Sequence, residues 1–162
     1  MKIRPAEPPD LAAIVTIYNQ AIAEQSTADT VPWNLAEQES WFAGHRTGRH
    51  PILVAQRDST VVGWISLSEY RCGRQALRHT AEISYYIDAA HRRQGVASAL
   101  LQAAIDHCAA ADIRTLFGIL LEDNAGSVAL LEGFGFHRWG HLPGVADFDG
   151  REVGHLYYGR RL

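Results

Sequence analysis

Sulfur is scarce in this chain, with two cysteines, Cys72 and Cys108, and one methionine among 162 residues. The cysteines lie far apart and in no CxxC spacing, which excludes a disulfide framework and a zinc site built on thiolates; two free thiols are expected. No stretch approaches the roughly 20 apolar residues of a membrane span, and the start MKIRPAEPPDL lacks the apolar run of a signal peptide. A cytoplasmic location is the expectation. Charge of one sign is not in excess either: the net charge is −3 and the pI near 6.2. Such a balance gives no global pull toward nucleic acid or anionic lipid, so any anion site must be local. Linkers, low-complexity tracts and internal repeats are absent as well. What the chain does have is an ordinary globular mixture, 47% hydrophobic and 20% charged. That supports one domain spanning 1–162.

The periodicities order themselves into a mixed α/β (α+β) pattern. After an extended start at Lys2–Arg4, Pro8 and Pro9 suit a first helical turn, and Leu11, Ile14, Val15, Tyr18 and Ile22 follow helical spacing. Residues 26–34 read as a loop, and 35–45 resume a helical pattern. Apolar runs at 52–55 and 61–67 flank Arg57-Asp58-Ser59 as a hairpin would, and a third strand is predicted at 80–87. A long helix follows, with Val96, Leu100, Leu101, Ala104, Ile105 and Cys108 on its apolar face. A strand at 114–121, a short helix at 124–134 and two strands near 136–142 and 153–158 complete the pattern.

The strongest local signal lies where the third strand meets the long helix, at His91-Arg92-Arg93-Gln94-Gly95-Val96-Ala97-Ser98. A helix start offers unpaired N–H groups and the positive end of the dipole, while a glycine allows close approach of a ligand. Strand, basic glycine turn and helix together suit a pyrophosphate. The GK[ST] ending of a P-loop and the three glycines of a dinucleotide fingerprint are missing, which disfavours ordinary ATP and NAD sites. The plain alternative is a solvated basic turn.

The R-x-x-G-x-A spacing resembles the Q/R-x-x-G-x-G/A acetyl-CoA signature of the GNAT acetyltransferase superfamily. Downstream, Asn124 and Ser127 in N-A-G-S, followed by L-L-E-G-F-G-F at 130–136, resemble that superfamily's second motif. Further likeness, in K-I-R-P-A at the start, I-Y-N at 17–19, S-T-A at 26–28, W-F at 41–42, L-V-A at 53–55 and R-x-A-x-R-H-T-A-E ending at Glu82, is to the phosphinothricin and methionine sulfone/sulfoximine acetyltransferases. The resemblance implies a mostly antiparallel sheet with splayed central strands, acetyl-CoA as co-substrate and direct attack by a primary amine. Carried over by position, the backbone of Tyr85, Tyr86 and Ile87 holds pantetheine and Arg93, Gln94, Gly95, Val96, Ala97 and Ser98 hold pyrophosphate. Asn124, with Ser127, meets the arm near the thioester. A backbone N–H near Tyr86 would polarise the thioester carbonyl.

Glu82 is the general base that the resemblance implies. An alkylammonium must lose a proton before its nitrogen can attack, which calls for a carboxylate near the thioester; the plain alternative is a surface or salt-bridged strand residue. Arg74 and Arg78 are the substrate-binding candidates, because a guanidinium pairs with carboxylate, phosphinate or sulfone oxygens. His79 and Thr80 are read as strand support or pocket lining, and Trp33, Trp64 and Tyr157 as pocket walls or core packing.

Departures from the family pattern bear on the substrate. Leu131 stands where relatives place a tyrosine or histidine as acid for the leaving thiol, Leu77 where an aromatic is common, Cys72 where the sulfone enzymes have arginine, and Ala81 where valine is usual. The expected acceptor is a small amino acid-like amine, and the subfamily implies a homodimer. The alternatives are acetylation of peptide N-termini or polyamines, and an acyl-CoA-binding sensor with reduced catalysis. His137 and His141 are four apart but lack nearby carboxylate or thiolate partners in the sequence, so no metal is expected.

Overall fold

The computed structural model describes residues 1–45 and 48–162. One seven-stranded sheet carries the fold, in the order β1-β2-β3-β4-β5-β7-β6. Its strands are β1 (Lys2–Pro5), β2 (Ile52–Arg57), β3 (Thr60–Glu69), β4 (Thr80–Ile87), β5 (Thr115–Leu121), β6 (His137–Phe148) and β7 (Arg151–Arg161). Every pairing is antiparallel except β4 with β5. The helices are α1 (Leu11–Ala23), α2 (Glu39–Gly44), α3 (Val96–Ala110) and α4 (Ala125–Gly133).

The two faces of the sheet bury different clusters. On one, Val96, Leu100, Leu101, Ala104 and Cys108 of α3 and Leu131 of α4 pack on Ile65, Leu67, Ala81, Ile83 and Leu116. On the other, Leu11, Ile14, Val15, Tyr18 and Ile22 of α1 and Phe42 of α2 cover Ile52, Val54 and Trp64. Because β3 is covered on both faces, all six residues from Val62 to Leu67 are buried, which explains an apolar run without alternation. Trp64 belongs to this core: its indole N–H donates to the Ile14 carbonyl. Gly63 is required where β3, β4 and α3 converge, since a Cβ there would stand 2.8 Å from Ile87 and 3.1 Å from Val96.

The elements depart from the sequence expectation at a few places. The region 35–45 divides into a 3-10 turn, Ala36–Gln38, and the short α2. The β2–β3 turn narrows to Asp58 and Ser59, both at positive φ, the geometry of a two-residue hairpin. β6 runs to Phe148 rather than stopping near 142, because register shifts between Arg138 and Gly140 and between Leu142 and Ala146 absorb its glycines and proline. His79, read as strand support, holds the start of β4: its carbonyl accepts from Arg114 and Thr115 N–H, and its Nδ1 lies 2.8 Å from the Asp112 carbonyl oxygen.

Candidate active site

β4 and β5 run side by side for three residue pairs, Thr80–Thr115, Ala81–Leu116 and Glu82–Phe117, and then part. Beyond Glu82, the edge of β4 facing β5 has no strand partner, so its main-chain groups border a gap. That gap continues into a cleft of about 660 Å³. Tyr85, Tyr86 and Ile87 form one wall, the turn and first residues of α3 form the far end, and Asn124, Ser127, Leu130 and Phe134 form the opposite wall.

The far end is an anion cradle made from backbone. Gly95 precedes α3 with φ 79°, a left-handed conformation natural to glycine, and Arg93 before it has φ 60°. Nothing lies within 4 Å of where a Gly95 Cβ would sit, so the space over the helix start is open to a ligand. On the opposite wall, the Asn124 side-chain oxygen accepts from the Ser127 N–H at 3.0 Å and caps α4, leaving the Asn124 amide hydrogens for the cleft. The Tyr85 hydroxyl is buried without a hydrogen-bond partner among the described residues. Burial pushes its pKa up to about 12, Ser127 acting in the opposite sense from nearby. A buried orphan hydroxyl costs about 1–3 kcal/mol, which a polar ligand in the cleft would recover. These features fit an extended carrier that bears phosphates at one end and amides along its length.

Beside the cleft, where β4 and β5 last pair, strand register gathers a set of side chains. Glu82, Ser84 and Tyr86 share one face of β4, with Ser68, Ser66 and Trp64 opposite them on β3. Phe117 lies beside Glu82 on β5, with Tyr70 edge-on at 4.7 Å and Tyr157 parallel at 6.4 Å between ring centroids. Glu82 is half-buried, and burial raises its pKa above the usual carboxylate value. Above Tyr86, the loop after α1 is pinned in place. The Asn19 side chain accepts from the Trp33 N–H at 2.7 Å and donates to its carbonyl at 3.1 Å. Asp29 accepts from the Tyr18 hydroxyl at 2.7 Å and from the Trp33 indole at 3.1 Å.

Of the residues singled out from the sequence, Tyr85, Tyr86, Ile87, Arg93, Gly95, Val96, Ala97, Ser98, Asn124 and Ser127 all line the cleft. Gln94 does not: its side chain accepts from Arg57 and donates to the Ala90 carbonyl. Arg74 and Arg78 flank a 3-10 turn in the exposed β3–β4 loop. Arg78 donates to the Gln75 carbonyl, so neither arginine is brought against Glu82. Leu131 is 1% exposed and packs in the core. His141 pairs with Glu122 at 2.7 Å, and no cluster of three or more His, Cys, Asp or Glu suited to a metal occurs among the described residues. Sequence reading missed the end of α1, where Glu24 and Ser26 line the cleft and Glu24 pairs with Arg92 at 2.8 Å. It also missed Ser68, Tyr70 and Phe117 around Glu82, which cross-strand register brings together.

A cleft with a glycine turn and helix start at one end, walled by a strand that carries a half-buried carboxylate at its last pairing with β5, is an arrangement an N-acyltransferase can use. The model of the Acetyltransferase (GNAT) family matches residues 17–136, and the chain belongs to that family. It is 42% identical over 164 residues to YwnH of Bacillus subtilis (strain 168), provisionally named a phosphinothricin acetyltransferase, covering 100% of this chain and 99% of that protein. It is 32% identical over 151 residues to the L-methionine sulfoximine/L-methionine sulfone acetyltransferase of Pseudomonas paraeruginosa, covering 92% of this chain and 87% of the relative. The phosphinothricin acetyltransferase of Sinorhizobium meliloti, solved in complex with acetyl-CoA, superposes with a TM-score of 0.93 at 26% identity, covering 99% of this chain and 88% of that one. The protein is therefore an N-acetyltransferase.

Proposed function

We propose that this enzyme moves an acetyl group from acetyl-CoA to the primary amine of a small amino acid-like acceptor bearing an anionic or strongly polar oxygen group, of the phosphinothricin or methionine sulfone/sulfoximine kind. The observation that carries the reading is the position of Glu82 at the last residue pair before β4 and β5 part. There, one carboxylate borders both the sheet gap and the aromatic cluster of Tyr70, Phe117 and Tyr157. Acetyl-CoA supplies the acetyl group as an activated thioester.

The chain's own residues do the rest. The backbone from Arg93 to Ser98 binds pyrophosphate at the positive end of α3. The free edge of β4 at Tyr85–Ile87, with Asn124 and Ser127 opposite, aligns the pantetheine amides, and a β4 N–H near Tyr86 polarises the carbonyl. Glu82 takes a proton from the acceptor ammonium, and its raised pKa makes it a better base than an exposed glutamate. Leu131 gives no proton to the departing sulfur; a thiol of cysteine-like pKa, about 8.5, leaves as thiolate. Arg74 and Arg78 meet the acceptor's oxygen group once it enters beneath their loop.

The single sheet running through all the elements supports reading 1–162 as one catalytic domain. No helix among the described residues is long and apolar enough to cross a membrane; we infer a cytoplasmic homodimer. The exposed Trp139, Leu142 and Val145 on edge strand β6 support the dimer, and sedimentation tests it. The function is tested by thiol release from acetyl-CoA across phosphinothricin, methionine sulfone, methionine sulfoximine, ordinary amino acids, polyamines and short peptides. Fastest turnover with the first three is the expected result. Turnover confined to peptides or polyamines overturns the acceptor class. Binding of acetyl-CoA with silence across the panel favours a sensor, a reading to which the apolar Leu131 also points.

A further inference from the structure

Glu82 must shed each proton it takes before it can act again, and among the described residues no side chain pairs with it; burial raises its pKa. Ser68 is its direct register partner on β3, which sets the two Cβ atoms about 5 Å apart on one face. The Ser68 hydroxyl lies 3.2 Å from Nε2 of His45, and Nδ1 of His45 lies 2.8 Å from the Trp41 carbonyl oxygen. A carbonyl only accepts, so Nδ1 carries the hydrogen and, in the neutral ring, Nε2 is an acceptor. The Ser68 hydrogen therefore points toward His45, and its oxygen lone pairs are left for a donor on the Glu82 side. Glu82 is such a donor only when protonated.

The array also has a direction. Phe117 and the sheet gap flank Glu82 on the β5 side, Ser68 on the other, so the line from Glu82 through Ser68 to His45 leads away from the reacting centre. His45 borders a second cavity of about 200 Å³, shared with Pro5, Phe42, Pro51, Leu53 and His107. Capping of α2 by His45 explains its Nδ1 contact with Trp41. It does not explain the Nε2 contact with Ser68.

We propose that Ser68 and His45 are positioning residues that return Glu82 to its carboxylate form by carrying its proton to this second cavity, a role that rests on the reading of Glu82 as base. The acceptor N–H bond breaks and a Glu82 O–H bond forms. Glu82 then gives that proton to the Ser68 oxygen while the Ser68 hydrogen passes to His45 Nε2. Carboxylate and hydroxyl are restored; the imidazolium Nε2–H bond then breaks as that ring edge swings from Ser68 toward the cavity and gives its proton to water there, which restores the Nδ1–H tautomer.

Two measurements test this. In ¹⁵N spectra of histidine-labelled protein without acceptor, neutral His45 is expected as the Nδ1–H tautomer; the Nε2–H tautomer overturns the proposal whatever the substrate. In thiol-release kinetics with acetyl-CoA and L-methionine sulfone, His45→Asn keeps an N–H for Trp41 but loses the base. This variant and Ser68→Ala are each expected to lower kcat about tenfold or more, with KM for acetyl-CoA within about twofold. Ser68→Thr, which keeps the hydroxyl, should stay near the parent rate, and the double variant should be no slower than the slower single one. Added imidazole should restore turnover to His45→Ala, whereas pyrazole, of the same shape but barely basic, should not. Unchanged kcat in His45→Asn and Ser68→Ala, with Glu82→Gln impaired, removes the relay and leaves the base; unchanged kcat in Glu82→Gln removes both.

Discussion

The two ends of the cleft are made of different materials. At the end proposed for the donor, what is on offer is main chain: a glycine at positive φ, a helix start and a strand edge without a partner, with small side chains such as Ala97 and Ser98 leaving it open. At the end proposed for the acceptor it is side chains: Glu82, the aromatic cluster, and loops tied down by Asn19 and Asp29. A backbone site tolerates sequence drift because any residue offers the same N–H, whereas a side-chain site changes its ligand when one residue changes. The departures at Leu77, Cys72 and Ala81 all fall in or beside the β3–β4 loop, at the acceptor end. That end is where specificity has room to differ from the relatives.

Substitutions should separate the two ends. Glu82→Gln is expected to have the largest effect, lowering kcat by about 10²–10⁴-fold with KM for acetyl-CoA unchanged, as read by thiol release at saturating donor. Arg74→Ala and Arg78→Ala should raise the acceptor KM by about 10–100-fold, the loss of a charged hydrogen bond of about 1.5–3 kcal/mol, and leave the donor KM alone. Gly95→Val reverses the pattern. Forcing a β-branched residue into the left-handed region costs at least about 1–2 kcal/mol, so donor KM should rise about tenfold while acceptor KM holds. Ser98→Ala should move donor KM by no more than about threefold if the cradle is main chain, since a neutral hydrogen bond is worth about 1 kcal/mol; a larger loss would show that side chains matter there too.

The smallest expected effect is on stability. Burial holds the Glu82 pKa above its unfolded value, so its contribution favours folding below the unfolded pKa and is lost as pH rises through the folded one. Glu82→Gln should therefore melt slightly higher than the parent protein near pH 8 and no higher near pH 4. The same shift places the acidic limb of the kcat profile above that of an ordinary glutamate.

Local pattern made the donor end legible. The helix face from Val96 to Cys108 and the span of β4 at Thr80–Ile87 emerged from periodicity, and Gly95 could be read because the conformation it permits is a property of one residue. At the acceptor end Glu82 was singled out through the family resemblance, not through local pattern. Ser68, Phe117 and Tyr70 reach it through strand register, which a linear reading does not contain, and His45 arrives from a separate helix. β6 was cut short at Pro143 and Gly144, which the sheet accommodates through the register shift between Leu142 and Ala146.

The parting of β4 and β5 leaves two unpaired strand edges in the interior of the sheet rather than at its rim. Free edges invite pairing with other chains, and in the proposed function the donor's amide arm takes the place of a missing strand. Acetyl-CoA bound there would be a folding ligand as well as a reagent: when the donor is depleted, amide exchange along Ile83–Ile87 should quicken and the protein should become prone to self-association.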